Sequence, residues 1–450
     1  MLAFAASAAA LPASAAALTV ETVQLPGTNV SGSWFPRDIQ PQADGNARVL
    51  QEQWGRGAQQ RELLVGSKSL IGEPLQLMAP AATQGRLTSG SLTRSGAVVT
   101  FRSDRRPRPK LRAAIWEGRE QVGKAQTLSD PSHSFRGGWT SASPNGAAAA
   151  TFWQHLGGGV WEPRIAIRPA GASRFLPAVA ATPTDQPVRR RTTGGEAQVI
   201  WGPNGDGMML WSAGNVSGNS VVRRIQRDGT VGPAVRLPMA LDSPSNGDAA
   251  VSVGPDGSIT LVDASAEYGD WEPRGDDEDR LVSSRVQLVS IAAGSDTASA
   301  PVLVREVAGW SEEISDLTVG AEVGPEGHLI VAVAGGAKRI EIFEGADAAS
   351  LQPVASQPNK DWAGYGEFSV LHTADGGAAV FWGAETMTMQ RAAGGAWSAP
   401  QRLLPKLEVG ISVLESPRAL PDGGVVGILR RDSGKSDDVS LVPFVVRVHR

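Results

Sequence analysis

The sequence predicts an all-β protein, a single β-propeller built of four-stranded antiparallel blades. Three observations predict it: a short turn motif ending in glycine that recurs along the whole chain, an apolar run after each turn, and a composition with 53 Gly and 30 Pro among 450 residues. Frequent tight turns and few helices are typical of all-β folds. The 41% of apolar residues is sufficient for a core.

The turn motif has its clearest form in Gly254-Pro255-Asp256-Gly257, between two short apolar runs. Aligning the chain on the last glycine of the motif gives eight units, whose turn glycines are Gly45, Gly96, Gly146, Gly205, Gly257, Gly327, Gly376 and Gly423. The intervals are 51, 50, 59, 52, 70, 49 and 47 residues. A nearly constant period of this size is typical of propeller blades. Eight blades are therefore predicted; seven is the alternative, if the weak first unit or the irregular stretch 260–320 is misassigned.

Each unit repeats the same internal order of strand, Asp-Gly turn, strand, loop, strand, Gly turn and strand, which is a four-stranded meander. The second run is apolar at successive positions, as in "LIVAV" and "AAVFW". Continuous apolarity indicates that both faces of the strand are covered, here by the neighbouring blades. The aromatic residues near the ends of these runs are expected to pack between blades; they are Trp54, Phe101, Trp153, Trp211 and Trp382.

The two ends of the chain are predicted to meet in one blade. The eighth unit has its turn at Gly423 and two further strands, and the chain then stops without a fourth. The segment "LTVETVQLP" (18–26) precedes the first unit and resembles the fourth strands of other units. We expect it to complete the last blade and remove an open sheet edge.

The Pro-Asp-Gly turn, with an Asp-Gly or Gly-Gly turn before the fourth strand, resembles the repeats of bacterial exported propellers of the TolB-like type. The resemblance extends over nearly the whole chain and concerns turn chemistry and packing. It implies the fold and points to the cell envelope, and it carries no catalytic residue.

Residues 1–17 are predicted to be a signal peptide or its remnant, and residues 18–450 the propeller domain. The opening is apolar and Ala-rich, and it has A-x-A arrangements at Ala13-Ser14-Ala15 and Ala15-Ala16-Ala17, although no Lys or Arg precedes the apolar run. This pattern resembles an export signal. No other stretch reaches the ~18 apolar residues of a membrane helix. The expected location is therefore periplasmic, at the cell surface or extracellular.

Composition excludes or disfavours several kinds of site and partner. The chain has no cysteine, which excludes disulfides, thiol catalysis and Cys-ligated metal. Its net charge of −4 disfavours nucleic acid as a partner. None of the five histidines stands with another at zinc-ligand spacing, and His328 and His372, beside turns, are expected at the surface. No metal and no cofactor are predicted.

The period breaks at "EYGDWEPRGDDEDR" (267–280), between the second and third strands of the fifth unit. Long insertions in a rigid repeat scaffold often carry binding function. The candidate ligand-binding residues are Tyr268, Asp270, Trp271, Arg274, Asp276 and Asp277. The alternative is a solvated acidic loop, because runs of charged residues are usually solvated. The mixture of Tyr, Trp and Arg favours a binding surface.

The function predicted from these features is that of a non-enzymatic binding or scaffold propeller of the cell envelope, monomeric, which recognises protein or carbohydrate through its loops. The alternative is a carbohydrate-active hydrolase or lyase at the channel mouth, which would need two facing carboxylates or a Tyr nucleophile with an acidic partner. Tyr268 beside Glu267 and Tyr365 near Glu367 are leads for the latter. A channel lined by Asp, Glu, Arg or Tyr would favour the enzyme; a lining of Ala, Val and Gly would count against it.

Overall fold

The computed structural model describes most of the chain as a succession of β-strands. The residues it describes are 18–26, 34–53, 59–78, 85–103, 109–118, 120–143, 145–182, 197–211, 220–239, 249–269, 280–308, 317–335, 339–358, 368–383, 386–403, 412–432 and 441–449. In these residues the one described helical element is a short 3-10 turn at Ala348–Ser350.

The strands form eight antiparallel sheets, one for each blade. Blade 1 comprises β2 (Trp34–Pro41), β3 (Ala47–Gln53), β4 (Gln60–Val65) and β5 (Leu70–Met78), and blade 2 comprises β6 (Gly85–Leu92), β7 (Gly96–Ser103) and β8 (Lys110–Glu117) with the short β9 (Glu120–Gln121) and β10 (Gln126–Thr127). Blade 3 comprises β11 (Phe135–Ala142), β12 (Ala148–Gly157), β13 (Val160–Arg168) and β14 (Val179–Ala180). Blade 4 comprises β15 (Gln198–Trp201), β16 (Gly207–Trp211), β17 (Val221–Ile225) and β18 (Val231–Arg236). Blade 5 comprises β19 (Ala249–Val253), β20 (Ile259–Gly269), β21 (Arg280–Ile291) and β22 (Val302–Ala308), and blade 6 comprises β23 (Thr318–Val323), β24 (Leu329–Gly335), β25 (Arg339–Gly345) and β26 (Gln352–Pro358). Blade 7 comprises β27 (Ser369–His372), β28 (Ala378–Trp382), β29 (Met387–Arg391) and β30 (Gln401–Arg402). Blade 8 comprises β31 (Ser412–Ala419), β32 (Val425–Asp432) and β33 (Leu441–His449) with β1 (Thr19–Gln24).

The blades form a closed ring around a central channel. The first strand of each blade is innermost and contacts the first strands of both neighbours, including β31 of blade 8 against β2 of blade 1. The predicted eight-bladed propeller is therefore confirmed. β1 pairs antiparallel with β33, from Thr19 opposite His449 to Gln24 opposite Phe444, so the predicted completion of the last blade by the N-terminal strand is confirmed too.

The core lies between the blades, in eight apolar clusters that each join two adjacent blades. The second strands supply much of it: every residue of β16, β24 and β28 is buried. Phe101, Trp211 and Trp382 are buried at these interfaces as predicted, and Trp153 is half-buried against the cluster between blades 3 and 4. Trp54 lies outside the described residues.

The glycine turns owe their shape to local hydrogen bonds. In the blade 5 turn the Gly257 amide donates to the Gly254 carbonyl at 3.0 Å, and Asp256 Oδ1 accepts from the Ser258 amide at 2.8 Å. Hydrogen bonds from Ser258 hold the pKa of Asp256 below its usual value, so the carboxylate stays charged in the turn. Gly257 has φ +83°, a conformation that favours glycine.

Seven of the eight turn glycines have positive φ; Gly96 is the exception. In blade 2 the chain reverses more tightly, and the Thr93 amide donates to the Gly96 carbonyl at 2.9 Å. A Cβ on Gly96 would lie 1.7 Å from the Trp116 carbonyl oxygen. Glycine is needed here because two strands approach closely, rather than for a left-handed backbone.

Replacing Gly257 by alanine is expected to lower the free energy of unfolding by about 1–2 kcal/mol, because an L side chain is strained at φ +83°. The nearest neighbour of the added Cβ would be 3.5 Å away, so the cost is in the backbone. Gly395→Ala is the matched control, since Gly395 lies in a turn without a left-handed φ. Urea unfolding followed by tryptophan fluorescence compares the two; equal destabilisation would contradict the assignment.

No helix in the described part of the chain is long and apolar enough to cross a membrane. The predicted signal peptide, residues 1–17, lies outside the described residues, and the first strand begins just after it, at Thr19.

Candidate functional site on the hairpin face and in the channel

Blade 5 has the two longest described strands of the protein, β20 with 11 residues and β21 with 12. We call the side of the ring that carries the eight glycine turns the turn face, and the opposite side, where β20 ends at Gly269 and β21 begins at Arg280, the hairpin face. The inner strand β19 pairs with β20 only as far as Ala249 opposite Asp263, whereas β20 and β21 stay paired to their ends. At about 3.3 Å per residue, residues 264–269 extend roughly 20 Å past Ala249, the first described residue of β19.

The ligand-binding residues predicted from the sequence fall at or after the end of β20. Tyr268 lies in β20, where its backbone pairs with Leu281 after a bulge that follows Glu267. The others lie outside the described residues; they are Asp270, Trp271, Arg274, Asp276 and Asp277. The position of the insertion between the second and third strands is confirmed, and its role in binding stays a prediction.

The channel holds a cavity of about 670 Å³, bounded by the inner strands of blades 1, 4, 5, 6, 7 and 8. Of the described residues that line it, three carry ionisable side chains: Glu322, His372 and Arg418. Most of the others are Ala, Val, Gly, Pro, Leu and Ser. A glycosidase of the common type needs two carboxylates flanking one bond, and this described lining offers one.

The single carboxylate of that lining is already engaged. Glu322 accepts from both the backbone amide of His372 and its ring Nδ1, the latter at 3.1 Å. The side chain of His372 is only 9% exposed, so the expectation of a surface histidine is wrong for this residue. Its ring packs on Gly324, where a Cβ would lie 2.5 Å from His372 Cδ2. His328, by contrast, is 40% exposed, and its Nε2 lies 2.9 Å from Glu344.

Glu322 occupies a position that recurs in several blades. In blades 2, 3, 5 and 6 the residue five places before the turn glycine bonds to the inner strand of the next blade, as in Ser252 Oγ, which accepts from the Val323 amide at 2.8 Å. The hydroxyls of Ser91 and Ser141 donate to the Thr140 and Val199 carbonyls, each at 2.9 Å, and Glu322 occupies the same place in blade 6. These side chains join blades. Aligning the units on the turn glycine would have exposed the pattern in the sequence.

Asp38 lies on the inner strand of blade 1, but its carboxylate faces blade 2. Oδ2 accepts from the Leu92 amide at 2.8 Å, and Oδ1 accepts from the Ile39 amide at 2.9 Å. Burial raises the pKa of Asp38, and the positive charges of Arg418 and Arg48 oppose the rise. Because both oxygens are bonded to the scaffold, Asp38 does not serve as the missing second carboxylate of the channel cavity.

The second enzymatic lead is not placed by the structure, because Tyr365 and Glu367 lie outside the described residues. Among the residues that are described, no group of three or more His, Asp or Glu side chains is arranged to hold a metal ion.

Comparison with known proteins gives only distant structural likeness. No family model matches the chain, and no curated protein matches it. Among solved structures, Sqt1 from Chaetomium thermophilum, determined with the N-terminus of ribosomal protein L10, is 11% identical, with 96% of this chain and 99% of that chain covered and a TM-score of 0.43. The polysaccharide lyase Uly1 is 8% identical over 92% of this chain and 89% of that chain, with a TM-score of 0.43. The propeller domain of the Trilobed protease from Pyrococcus furiosus is 8% identical over 84% and 99%, with a TM-score of 0.35. Likeness at this level carries no argument about activity.

Proposed function

We propose that this chain is a non-enzymatic binding propeller of the cell envelope, which recognises a protein or carbohydrate ligand at its hairpin face. The observation that carries the proposal is the β20–β21 hairpin, the longest described strand pair, which extends roughly 20 Å beyond Ala249, the first described residue of the inner strand. Its base is rigid, because Val262, Val286 and Leu288 belong to the core cluster between blades 5 and 6. A paired hairpin on a packed base presents side chains at low entropic cost.

The composition of the channel supports binding over catalysis. The described lining is mostly small and apolar, and its one carboxylate, Glu322, is bonded to His372. A general acid or nucleophile would have to exchange those bonds for bonds to substrate. The other polar inner-strand groups, such as Ser252, hold neighbouring blades together.

Export is part of the proposal. Cleavage after Ala15 or Ala17 would leave β1, which begins at Thr19, intact for pairing with β33. Intact-mass measurement of the protein recovered from the periplasm of an expressing bacterium tests this. We expect a chain that begins at residue 16 or 18; recovery of the unprocessed chain from the cytoplasm alone would contradict export.

Trp271→Ala is expected to weaken ligand binding by tenfold or more, because aromatic anchors commonly contribute about 2 kcal/mol or more at interfaces. A glycan array and a panel of chromogenic glycosides, both applied to the chain from residue 18, identify the ligand and detect turnover. The urea midpoint of the variant is the control for folding. Unchanged affinity would identify the insertion as a solvated loop, and glycoside turnover abolished by changing Glu322 would overturn the non-enzymatic proposal.

A further inference from the structure

The channel cavity reaches the turn face, on the other side of the ring from the hairpin face, and it is large enough for a small molecule. Its lining includes Pro203 and Pro325, which belong to the turns of blades 4 and 6. Small residues keep it open along the inner strands of blades 5 and 6; they are Ala249, Ala250, Gly320 and Ala321. Its volume of about 670 Å³ lies within the roughly 300–1,000 Å³ that is common for small-molecule sites.

Two large aromatic side chains of the lining are fixed by packing on glycines. Phe368 lies on the bare backbone of Gly320, where a Cβ would be 2.5 Å from Phe368 Cδ1, and its ring stacks on that of Trp382 with 6.4 Å between centroids. Trp201 lies on Gly207 in the same way, because a Cβ there would be 2.7 Å from Trp201 Cε3. Both lining side chains are half-buried. They therefore offer fixed apolar surface to a ligand at low entropic cost.

Arg418, on the inner strand of blade 8, brings a positive charge to the wall of the cavity. It stands five places before Gly423, at the position that bonds to the next blade in blades 2, 3, 5 and 6. Arg418 differs from those residues, since it is exposed and makes no hydrogen bond or ion pair with the described part of the chain. Its charge opposes the raised pKa of Asp38 in blade 1, but both oxygens of that carboxylate accept from backbone amides. The guanidinium donors are thus left for a ligand.

The backbone just before Arg418 is irregular. β31 has a bulge between Glu415 and Arg418. Within it Ser416 has φ +48°, a left-handed conformation that is uncommon outside glycine, and Pro417 is buried. Both residues line the cavity together with Arg418. Bulges re-aim side chains and are common beside binding sites, where unusual backbone conformations also cluster.

The charges of the wall are separated across the channel. Glu322 lies in blade 6, two blades away from Arg418, and its Oε2 accepts from the backbone and the ring of His372. Trp201 lies in blade 4, which is opposite blade 8 in a ring of eight blades. A ligand in this cavity therefore meets a cation on one side and apolar surface on the other.

We infer that the channel cavity binds a small organic carboxylate with an apolar body, whose carboxylate is held by Arg418 while the body packs on the apolar wall that includes Phe368 and Trp201. The arginine fork matches the two oxygens of a carboxylate and binds them by charge-assisted hydrogen bonds. Burial of the body against the small and apolar lining adds to affinity. This site lies apart from the hairpin face, so the inference goes beyond the proposed function and does not depend on it.

Isothermal titration of the purified protein tests the inference with three probes that share an eight-carbon chain and differ in charge: octanoate, neutral octanamide and cationic octylamine. We expect octanoate to bind about tenfold or more tightly than either of the others, because it alone forms charge-assisted bonds to Arg418. Arg418→Gln should weaken octanoate binding about tenfold and leave octanamide binding unchanged. Arg418→Lys keeps the charge without the fork, so its affinity should fall between those of the natural protein and Arg418→Gln.

Arg174→Gln is the matched control, since Arg174 is an exposed arginine outside the described lining. The urea midpoint of Arg418→Gln, expected to be unchanged because the residue is exposed, controls for folding. No binding of octanoate, equal affinities for octanoate and octanamide, tighter binding of octylamine, or equal losses in the Arg418→Gln and Arg174→Gln variants would overturn the inference.

The proposed function fails separately from this site. Trp271→Ala should leave octanoate binding unchanged, because the insertion follows the end of β20 on the hairpin face. A loss in that variant equal to the loss in Arg418→Gln would move the probe out of the channel and overturn the inference. If octanoate depends on Arg418 and no ligand depends on Trp271, the channel site stands and the hairpin-face function falls.

Discussion

Removing residues 2–26 is expected to lower the free energy of unfolding by about 3–6 kcal/mol, because β1 is lost. Val23 and Leu25 are 6% and 1% exposed in the cluster that joins blades 8 and 1. Each buried side chain of this kind contributes about 1.5–3 kcal/mol. The deletion also removes one of the two strands that pair with β33 and leaves an open edge there, which favours association with a second chain. Urea unfolding and light scattering measure the two effects.

Deletion of residues 2–17 is the matched control. This control lacks most of the residues that the longer deletion lacks, but it keeps β1, which begins at Thr19. Its free energy of unfolding should therefore match that of the full chain. A synthetic peptide of residues 18–26, added to the longer deletion, should restore stability by pairing with β33 in trans. Equal stability of the two deletions, with no effect of the peptide, would show that β1 contributes nothing to ring closure.

The fold was predictable because its signals are local and repeated. The Asp256 to Ser258 hydrogen bond and the left-handed Gly257 depend on four neighbouring residues, and related turns recur in the other units. The continuous apolarity of a second strand such as β24 reports directly that blades cover both of its faces. Ring closure also followed from counting strands, because the eighth unit lacked a fourth strand and the N-terminal segment 18–26 belonged to no unit.

Contacts between blades were harder to anticipate, because the partners are about one repeat apart. Glu322 meets His372, 50 residues later, and Ser252 meets Val323, 71 residues later. The burial of His372 depends on the bare backbone of Gly324 in the preceding blade. A single histidine beside a turn carries no sign of this, so its expected exposure was wrong.

The candidate sites divide in the same way. The blade 5 insertion was found because it breaks the period, and the structure adds that its strands continue as a hairpin. The channel cavity leaves the period intact. Its arginine, Arg418, stands at the position that joins blades in four other units, and the aromatic rings that line it, Trp201 and Phe368, lie in blade 4 and beside the first strand of blade 7. Sequence spacing alone therefore could not assemble it.

Arg48→Ala is expected to destabilise the protein by about 3–5 kcal/mol, because the variant leaves a carboxylate without its partner in a mostly buried place. Arg48 is 7% exposed and bonds to Glu62, which is 13% exposed. Its Nη1 and Nη2 also donate to the carbonyls of Thr93 and Gly96, each at 3.0 Å. The side chain thus links the second strand of blade 1 to the first turn of blade 2. Its loss removes these donors from the Glu62 carboxylate and the Thr93 carbonyl, whereas the Gly96 carbonyl keeps its bond from the Thr93 amide.

Two comparisons separate the buried charge from a general loss of an arginine. Arg227→Ala removes an ion pair with Asp206 in which Arg227 is 59% exposed, and it should cost about 1 kcal/mol or less. Arg48→Met combined with Glu62→Leu replaces both charges by apolar groups and should recover most of the loss. Urea unfolding orders the variants. If the double variant were as unstable as Arg48→Ala, the stabilisation by Arg48 would come from its hydrogen bonds to the Thr93 and Gly96 carbonyls, rather than from its ion pair with Glu62.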